Sequence, residues 1–430
     1  MPRIYRLLFL ILIFTDCSIA LTQIDITRSH ISPMLVAIPE FMGDKSVGSK
    51  LRKIIINDLE STGLFRVIDK DAYIDTLNLD AVPTFASWRQ INATSLIFGS
   101  IDKGGEYYSV SFKMWDVFSQ SEVLNKESFQ VSKKNPRRAA HKISDEIYKK
   151  LTGEEGYFNT KITYISSMVS NDGRVLRRIA IMDQDGYNHN YLTDSSRLVL
   201  TPRFSPSVES ILYLSYGKKS QPKVKKINIK TKFSSVLGSF DGMSYAPRYI
   251  DKNSVLLSVV KGGVSNIHTL NLDSMEQRQI TYCSSICTSP SISPDKKYVV
   301  FNSDMGGTRQ LYVMDLSGKN VERISFNPGY YSSPVWSPRG DLIAFTKMLP
   351  GKGFFIGVMR PDGSGERLIT RGWLVDGASW APNGRVLMFE KESAPKKGKG
   401  IYTIDITGNN TRFLKTPYEA SDPAWSNSLG

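Results

Sequence analysis

The sequence predicts an α/β N-terminal domain followed by an all-β six-bladed propeller, closed by pairing of the C-terminal strand with the first blade. Three observations lead there. A motif of a small residue, an aromatic or apolar anchor and a Ser-Pro-like turn recurs six times, with its anchors at Phe204, Tyr249, Ile292, Trp336, Trp380 and Trp425, spaced 45, 43, 44, 44 and 45 residues apart. A second landmark, an apolar strand ending in a polar residue, falls at Asp183, Lys230, Asp273, Asp315, Arg360 and Asp405, spaced 47, 43, 42, 45 and 45. Repeats at this period are the signature of propellers and arrays. The third observation is an offset at the chain ends: the first repeat begins at 161–165 with no anchor strand before it, and the last anchor strand, 422–426, has no blade after it. Pairing these two loose ends completes a ring and removes sheet edges that would template aggregation.

Within one unit, Pro334 to Thr370, the order of strands is legible. Pro334-Val335-Trp336 is a short strand, and Ser337-Pro338-Arg339-Gly340 is a turn in which proline presets φ and glycine closes. Leu342 to Thr346 is a nearly continuous apolar run of the kind buried on both faces. Phe354 to Met359, the Asp362-Gly363 turn and Arg367 to Thr370 complete four short antiparallel strands, the content of one blade. The anchor tryptophans Trp336, Trp380 and Trp425 are expected in the blade core.

The repeat begins only near residue 160, so three segments are expected: a signal peptide at 1–20, an α/β domain at 21–156 and the propeller at 160–430. Arg3 and Arg6, an apolar run from Leu7 to Phe14, and Ser18-Ile19-Ala20 form a secretory signal with cleavage after Ala20. Asp16 is a poor neighbour for lipid modification of Cys17, and no later stretch approaches the ~20 apolar residues of a membrane span. In the α/β domain, Met34 to Ile38, Phe65 to Ile68, Leu96 to Gly99, Tyr107 to Asp116 and Glu122 to Val131 read as strands. Residues 47–62 place Leu51, Ile54, Ile55 and Leu59 on one helical face, stopped by Gly63. A last helix has Asn135 as cap, Pro136 at its first position, Ala139, Ile143, Ile147 and Leu151 inward, and Gly153 beyond. Thr22 to Pro33 is a short alternating segment, either an edge strand or frayed terminus, or a strand offered to a partner by β-augmentation.

The net charge is +14, with basic residues dispersed apart from Lys223-Lys225-Lys226 and Lys396-Lys397-Lys399 between strands. Solvated loops account for this without nucleic acid, and contact with acidic cell-wall polymer or anionic head groups is the alternative. Cys283 and Cys287 form either a disulfide, which is the expectation for a pair in an exported chain, or two free thiols. The four histidines at 30, 141, 189 and 268 form no ligand pair, and no metal or cofactor site is expected.

A signal peptide, an α/β domain and six anchor/Ser-Pro repeats in this order resemble the TolB family, periplasmic propeller components of the Tol-Pal envelope system of Gram-negative bacteria. The specific pieces are Leu151-Thr152-Gly153 leading into Thr160 to Ile165, the Asp183-x-Asp185-Gly186-Tyr187-Asn188 turn, Gln310 to Leu316, and the terminal Pro423-Ala424-Trp425-Ser426. The resemblance implies a non-enzymatic, monomeric adaptor of the periplasm that supports outer-membrane integrity and cell division. It would bind the lipoprotein Pal through one propeller mouth and TolA through the segment Thr22, Gln23, Ile24, Asp25, Ile26, Thr27 and Arg28, with other envelope proteins as further partners. Loops entering the anchor strands share one mouth, and on this resemblance they supply the Pal surface: Leu200, Thr201, Met243, Ser244, Tyr245, Thr288, Ser289, Tyr330, Tyr331, Ser332, Val375, Asp376, Glu419 and Ser421. Tyrosines among small polar residues suit a protein interface. Met243 stands where TolB proteins can carry a histidine.

Two enzyme classes fit poorly. A peptidase-associated propeller needs a Gly-x-Ser-x-Gly elbow, whereas Asp362-Gly363-Ser364-Gly365 has the wrong register. A sialidase needs repeated Asp-box turns, and Asp172-Gly173 is a lone fragment. A propeller-type glycan or cell-wall binding module is the alternative, separated from the adaptor by its independence of a protein partner.

Overall fold

The computed structural model describes residues 32–430 except 76, 134, 218–219 and 238–242, together with the strand side chains at 126, 220–221 and 243–246. The expected signal peptide and the segment Thr22 to Arg28 lie outside the described residues.

The N-terminal sheet contains β1 (Met34–Ala37), β2 (Met42–Gly43), β3 (Phe65–Val67), β4 (Ser95–Lys103), β5 (Tyr107–Asp116) and β6 (Ser121–Ser132), in the order β3-β1-β4-β5-β6 with β2 also on β4. Strand β1 runs parallel to β3 and β4, while β4, β5 and β6 form an antiparallel meander. Helix α1 (Lys45–Ser61) starts where Asp44 Oδ1 accepts the N–H groups of Ser46 and Val47 at 3.0 and 3.2 Å. A further helix, α2 (Phe85–Gln90), and α3 (Arg137–Thr152) complete the domain. Lys149 and Lys150 in the last turn of α3 favour its negative end, and Gly153 closes it at φ 75°. Its start differs from expectation: Pro136 occupies the cap position and no side chain caps the helix, while the Asn135 backbone N–H donates to Ser132 O and closes a turn after β6.

The apolar stripes of α1 and α3 cover one sheet face, with Leu51, Ile55 and Leu59 against Ile143, Ile147 and Leu151. The other face is covered by Leu79, Phe85 and Trp88 from α2 and the chain before it, packed on Leu96, Phe98 and Trp115. Sequence periodicity did not announce this second cover, since α2 spans only 6 residues.

Six four-stranded antiparallel sheets follow. Blade 1 consists of Glu419–Trp425, Lys161–Val169, Val175–Asp183 and Asn190–Tyr191, so the C-terminal strand completes the first blade as the offset predicted. Its register pairs Ala424 with Thr163 and Trp425 with Ile162. The anchor tryptophans are buried, and each indole N–H is used: Trp336 donates to Gly340 O at 3.2 Å, Trp380 to Val335 O at 3.0 Å and Trp425 to Thr160 Oγ1 at 2.8 Å. The outer turns pack blade against blade closely. At Gly318 and Gly363, with φ 86° and 83°, a Cβ would stand 2.0 and 2.1 Å from the carbonyl oxygens of Ile280 and Ile324 in the preceding blade.

One core crosses the domain boundary. Tyr148 and Leu151 of α3, then Tyr157 and Phe158 of the connection, join Ile162, Met182, Met388 and Trp425 of the propeller. Tyr148 stacks edge-on with both Tyr157 and Phe158, at centroid distances of 5.9 and 5.8 Å.

Candidate partner-binding site at the propeller mouth

Each innermost strand enters at one end of the ring and leaves through its Ser-Pro-like turn at the other. Strand alternation then puts the third-to-fourth-strand turns at that exit end as well. The α/β domain docks at this exit end. Gln184 Nε2 donates to Asp58 Oδ1 at 3.0 Å, Asn410 Nδ2 to Ser61 O at 2.7 Å, and Asn383 Nδ2 to Glu155 O at 3.0 Å. Arg339 pairs with Glu154 at 2.7 Å, and Arg137 pairs with Asp185 while stacking 4.1 Å over the Tyr187 ring. The turn 183–188, a sequence landmark of the family resemblance, is thus part of the joint between domains. The entry mouth faces away from the α/β domain.

At the heart of the joint, Asp58 Oδ2 meets His141 Nδ1 at 2.7 Å, and Asp185 Oδ2 lies 3.9 Å from His141 Nε2. These three residues bring potential ligand atoms within 4.8 Å of one another. The Gln184 amide and the Arg137 guanidinium already occupy the two carboxylates, so the cluster reads as an ion-paired joint. Burial lowers the proton affinity of the His141 ring, but the facing Asp58 and nearby Asp185 carboxylates outweigh it and hold His141 above its ordinary value. Burial likewise raises Asp58.

At the entry mouth, all six innermost strands carry the same register shift, at Leu200/Arg203, Tyr245/Arg248, Thr288/Ser291, Ser332/Val335, Asp376/Ser379 and Ser421/Ala424. Such bulges re-aim side chains at barrel rims. Five of them contain a residue of positive φ: Thr201 (48°), Ser289 (56°), Ser333 (50°), Gly377 (67°) and Asp422 (51°). The bulge explains why small and polar residues precede each anchor, a pattern visible in the sequence without its cause.

The expected contact residues divide by burial. Tyr330 and Glu419 are exposed, while Leu200, Thr201, Thr288, Ser289, Ser332, Asp376 and Ser421 are half-buried along the bulges. Met243, Ser244 and Tyr245 begin an innermost strand, but their side chains lie outside the described set. Tyr331 and Val375 differ from expectation, for both are fully buried beneath the mouth. Lys347 Nζ donates to Tyr331 Oη and Glu366 Oε1, each at 2.7 Å, and Tyr331 Oη donates to Glu366 Oε2 at 2.8 Å. Burial and the neighbouring Glu366 push the Tyr331 hydroxyl far above the usual phenol range, so it stays protonated and donates. A second set links Lys399 Nζ to Glu390 Oε1 at 2.6 Å and Asp422 N–H to Glu390 Oε2 at 2.8 Å.

Four exposed aromatics surround the mouth beyond the expected set: Tyr282, Phe326, Trp373 and Tyr418. Each lies in the linker entering an innermost strand, 10, 10, 7 and 7 residues before its anchor. That spacing was the available signal. Trp373 borders an apolar notch of about 710 Å³ with Met348, Leu349, Phe354 and Leu374, between blades 5 and 6. Nearby, Cys283 and Cys287 are joined as a disulfide across a 6.3 Å Cα–Cα separation, and Cys283 N–H is anchored by Asn266 Oδ1 at 2.7 Å.

Fold and site together define a class: an α/β domain fused to a closed six-bladed propeller, docked on exit-end turns of blades 1, 5 and 6, with the entry end offering an aromatic, polar rim of the kind that receives a macromolecule. A family model for the TolB amino-terminal domain matches residues 22–123, and one for the TolB beta propeller domain matches 148–429. The Tol-Pal system protein TolB of Rickettsia prowazekii (strain Madrid E) is 44% identical over 441 aligned positions, covering 98% of each chain. Its counterpart in Rickettsia conorii (strain ATCC VR-613 / Malish 7) is 44% identical over 438, covering 97% of this chain and 98% of that one. A crystal structure of TolB from Acinetobacter baumannii superposes with a TM-score of 0.82 over 94% of this chain and 99% of that chain, at 23% identity, and so shares the fold. The chain belongs to the TolB family.

Proposed function

We propose that this chain is a periplasmic, non-enzymatic adaptor of the Tol-Pal system, exported by a signal peptide spanning 1–20. Its whole-length kinship with Tol-Pal system proteins carries the reading. In this proposal the entry mouth receives the lipoprotein Pal, with Tyr330, Glu419 and the bulge residues from Leu200 to Ser421 as contacts and Trp373 and Tyr282 at the rim. The segment Thr22 to Arg28 reaches TolA, and the assembly supports outer-membrane integrity and cell division. Two features favour the mouth: it faces away from the docked α/β domain, and its rim is rich in aromatics that can anchor a protein partner.

The test is calorimetric titration of the chain from Leu21 with the soluble peptidoglycan-binding domain of Pal from the same organism, beside the variants Tyr330→Ala and Trp373→Ala. Saturable one-to-one binding, weakened at least tenfold by either change, supports the reading. A folded chain that ignores Pal but binds isolated peptidoglycan is instead a cell-wall binding module.

A further inference from the structure

In every blade, the residue just before the anchor occupies one layer of the channel wall. Around the ring these are Arg203, Arg248, Ser291, Val335, Ser379 and Ala424, matched in register by their partners Leu212, Leu256, Val300, Ala344, Met388 and Thr163. Four positions are uncharged. The other two, on the adjacent blades 2 and 3, are arginines, and both border a central cavity of about 440 Å³.

Neither arginine has an ion-pair partner among the described residues. Arg203 donates through Nη1 to Pro202 O at 2.7 Å, while its Nε is buried without an acceptor. Asp376 and Asp422 act on Arg203 only from a distance, and the charge that Arg248 senses is Arg203 itself. Two half-buried guanidiniums bordering one cavity repel each other, and an anion between them relieves that repulsion. The neighbouring blade adds a donor, because Ser291 Oγ accepts the Trp336 backbone N–H at 3.1 Å and keeps its own O–H to give.

We propose that the propeller channel binds a compact oxyanion of the phosphate class between Arg203 and Arg248, with the Ser291 hydroxyl as a further donor. The planar guanidinium fork matches two oxygens of such an anion, whereas a halide gains no bidentate bond. Asp376 and Asp422 oppose any long polyanion, which keeps the site to a small, singly or doubly charged guest.

The experiment uses the full mature chain and inorganic phosphate, replacing chloride at constant ionic strength. Thermal unfolding and phosphorus-31 line width are followed together. A saturable rise in midpoint with line broadening is expected for the native chain. Arg248→Gln and Arg203→Gln should bind at least tenfold more weakly, whereas the exposed Lys230→Gln should match the native chain. In phosphate-free buffer, Arg248→Gln should be at least as stable as the native chain, since it removes an uncompensated charge. An unchanged midpoint and line width in the native chain, or an undiminished response in both arginine variants, overturns the proposal. If the arginine variants do not fold, the native line-width titration decides alone: saturable broadening relieved by sulfate but not chloride supports the site, and its absence overturns it.

Discussion

Asp58 Oδ2 stands 2.7 Å from His141 Nδ1, tying α1 to α3 where neither side chain reaches solvent. The second oxygen of the same carboxylate accepts from Gln184 of blade 1, so one aspartate holds two helices and a propeller turn. Removing it leaves a buried imidazole and a buried amide without their acceptor. Asp58→Ala is expected to cost about 3–5 kcal/mol, and Asp58→Asn less, in urea unfolding monitored by both far-ultraviolet dichroism and tryptophan fluorescence. A loss below about 1 kcal/mol would show that the joint stands on its apolar core alone.

Stability should fall as pH rises from about 5 to 8. His141 has a folded pKa above its unfolded value, so its contribution is complete below the unfolded pKa and disappears as pH passes the folded one. Burial pushes the Asp145 carboxyl up to about 7 although it accepts the N–H groups of Phe158 and Asn159. The folded state therefore keeps a proton there that the unfolded chain has released, which also favours the lower pH. Denaturation midpoints at pH 5.5 and 8 should differ in that order, and the difference should shrink in His141→Gln. A midpoint that rises with pH would contradict the assignment.

Two adjacent tyrosines should behave oppositely. Tyr330→Ala removes an exposed ring and should weaken Pal while leaving the melting temperature nearly unchanged. Tyr331→Phe removes the hydroxyl shared by Lys347 and Glu366 and is expected to cost about 1–3 kcal/mol while leaving Pal affinity within about twofold. Paired calorimetry and thermal unfolding check both.

Truncation after Tyr418 removes the strand Glu419–Trp425 that completes blade 1. It exposes the edge of Lys161–Val169 and empties the place of Trp425 in the interdomain core. The truncated chain should aggregate, or elute in size-exclusion chromatography as larger species than the full chain. Addition of a peptide spanning 419–430 should shift part of the material back to the elution position of the full chain.

Much of the architecture was legible because it repeats. Anchors such as Trp336 and Trp380 recur at 44 residues, and each repeat contains a complete local pattern of strands and turns. The mouth was legible as a set of loops but not residue by residue. Tyr330 and Tyr331 look alike in sequence, yet only Tyr330 faces solvent, because strand alternation sends its neighbour toward Lys347. Tyr282 and Trp373 are not marked by the repeat, which fixes strands more tightly than the linkers between them.

The sequence by itself determined the blade number and the way the ring closes, since both follow from a short-range pattern copied along the chain and from its offset at the two ends. Only the tertiary structure decided which end of the ring carries the α/β domain and that Arg203 and Arg248 border one channel cavity. Those outcomes rest on contacts such as His141 with Asp58, 83 residues apart, and Gln184 with Asp58, 126 apart. No local period encodes such contacts; they exist because burial brings polar groups together that must then satisfy one another.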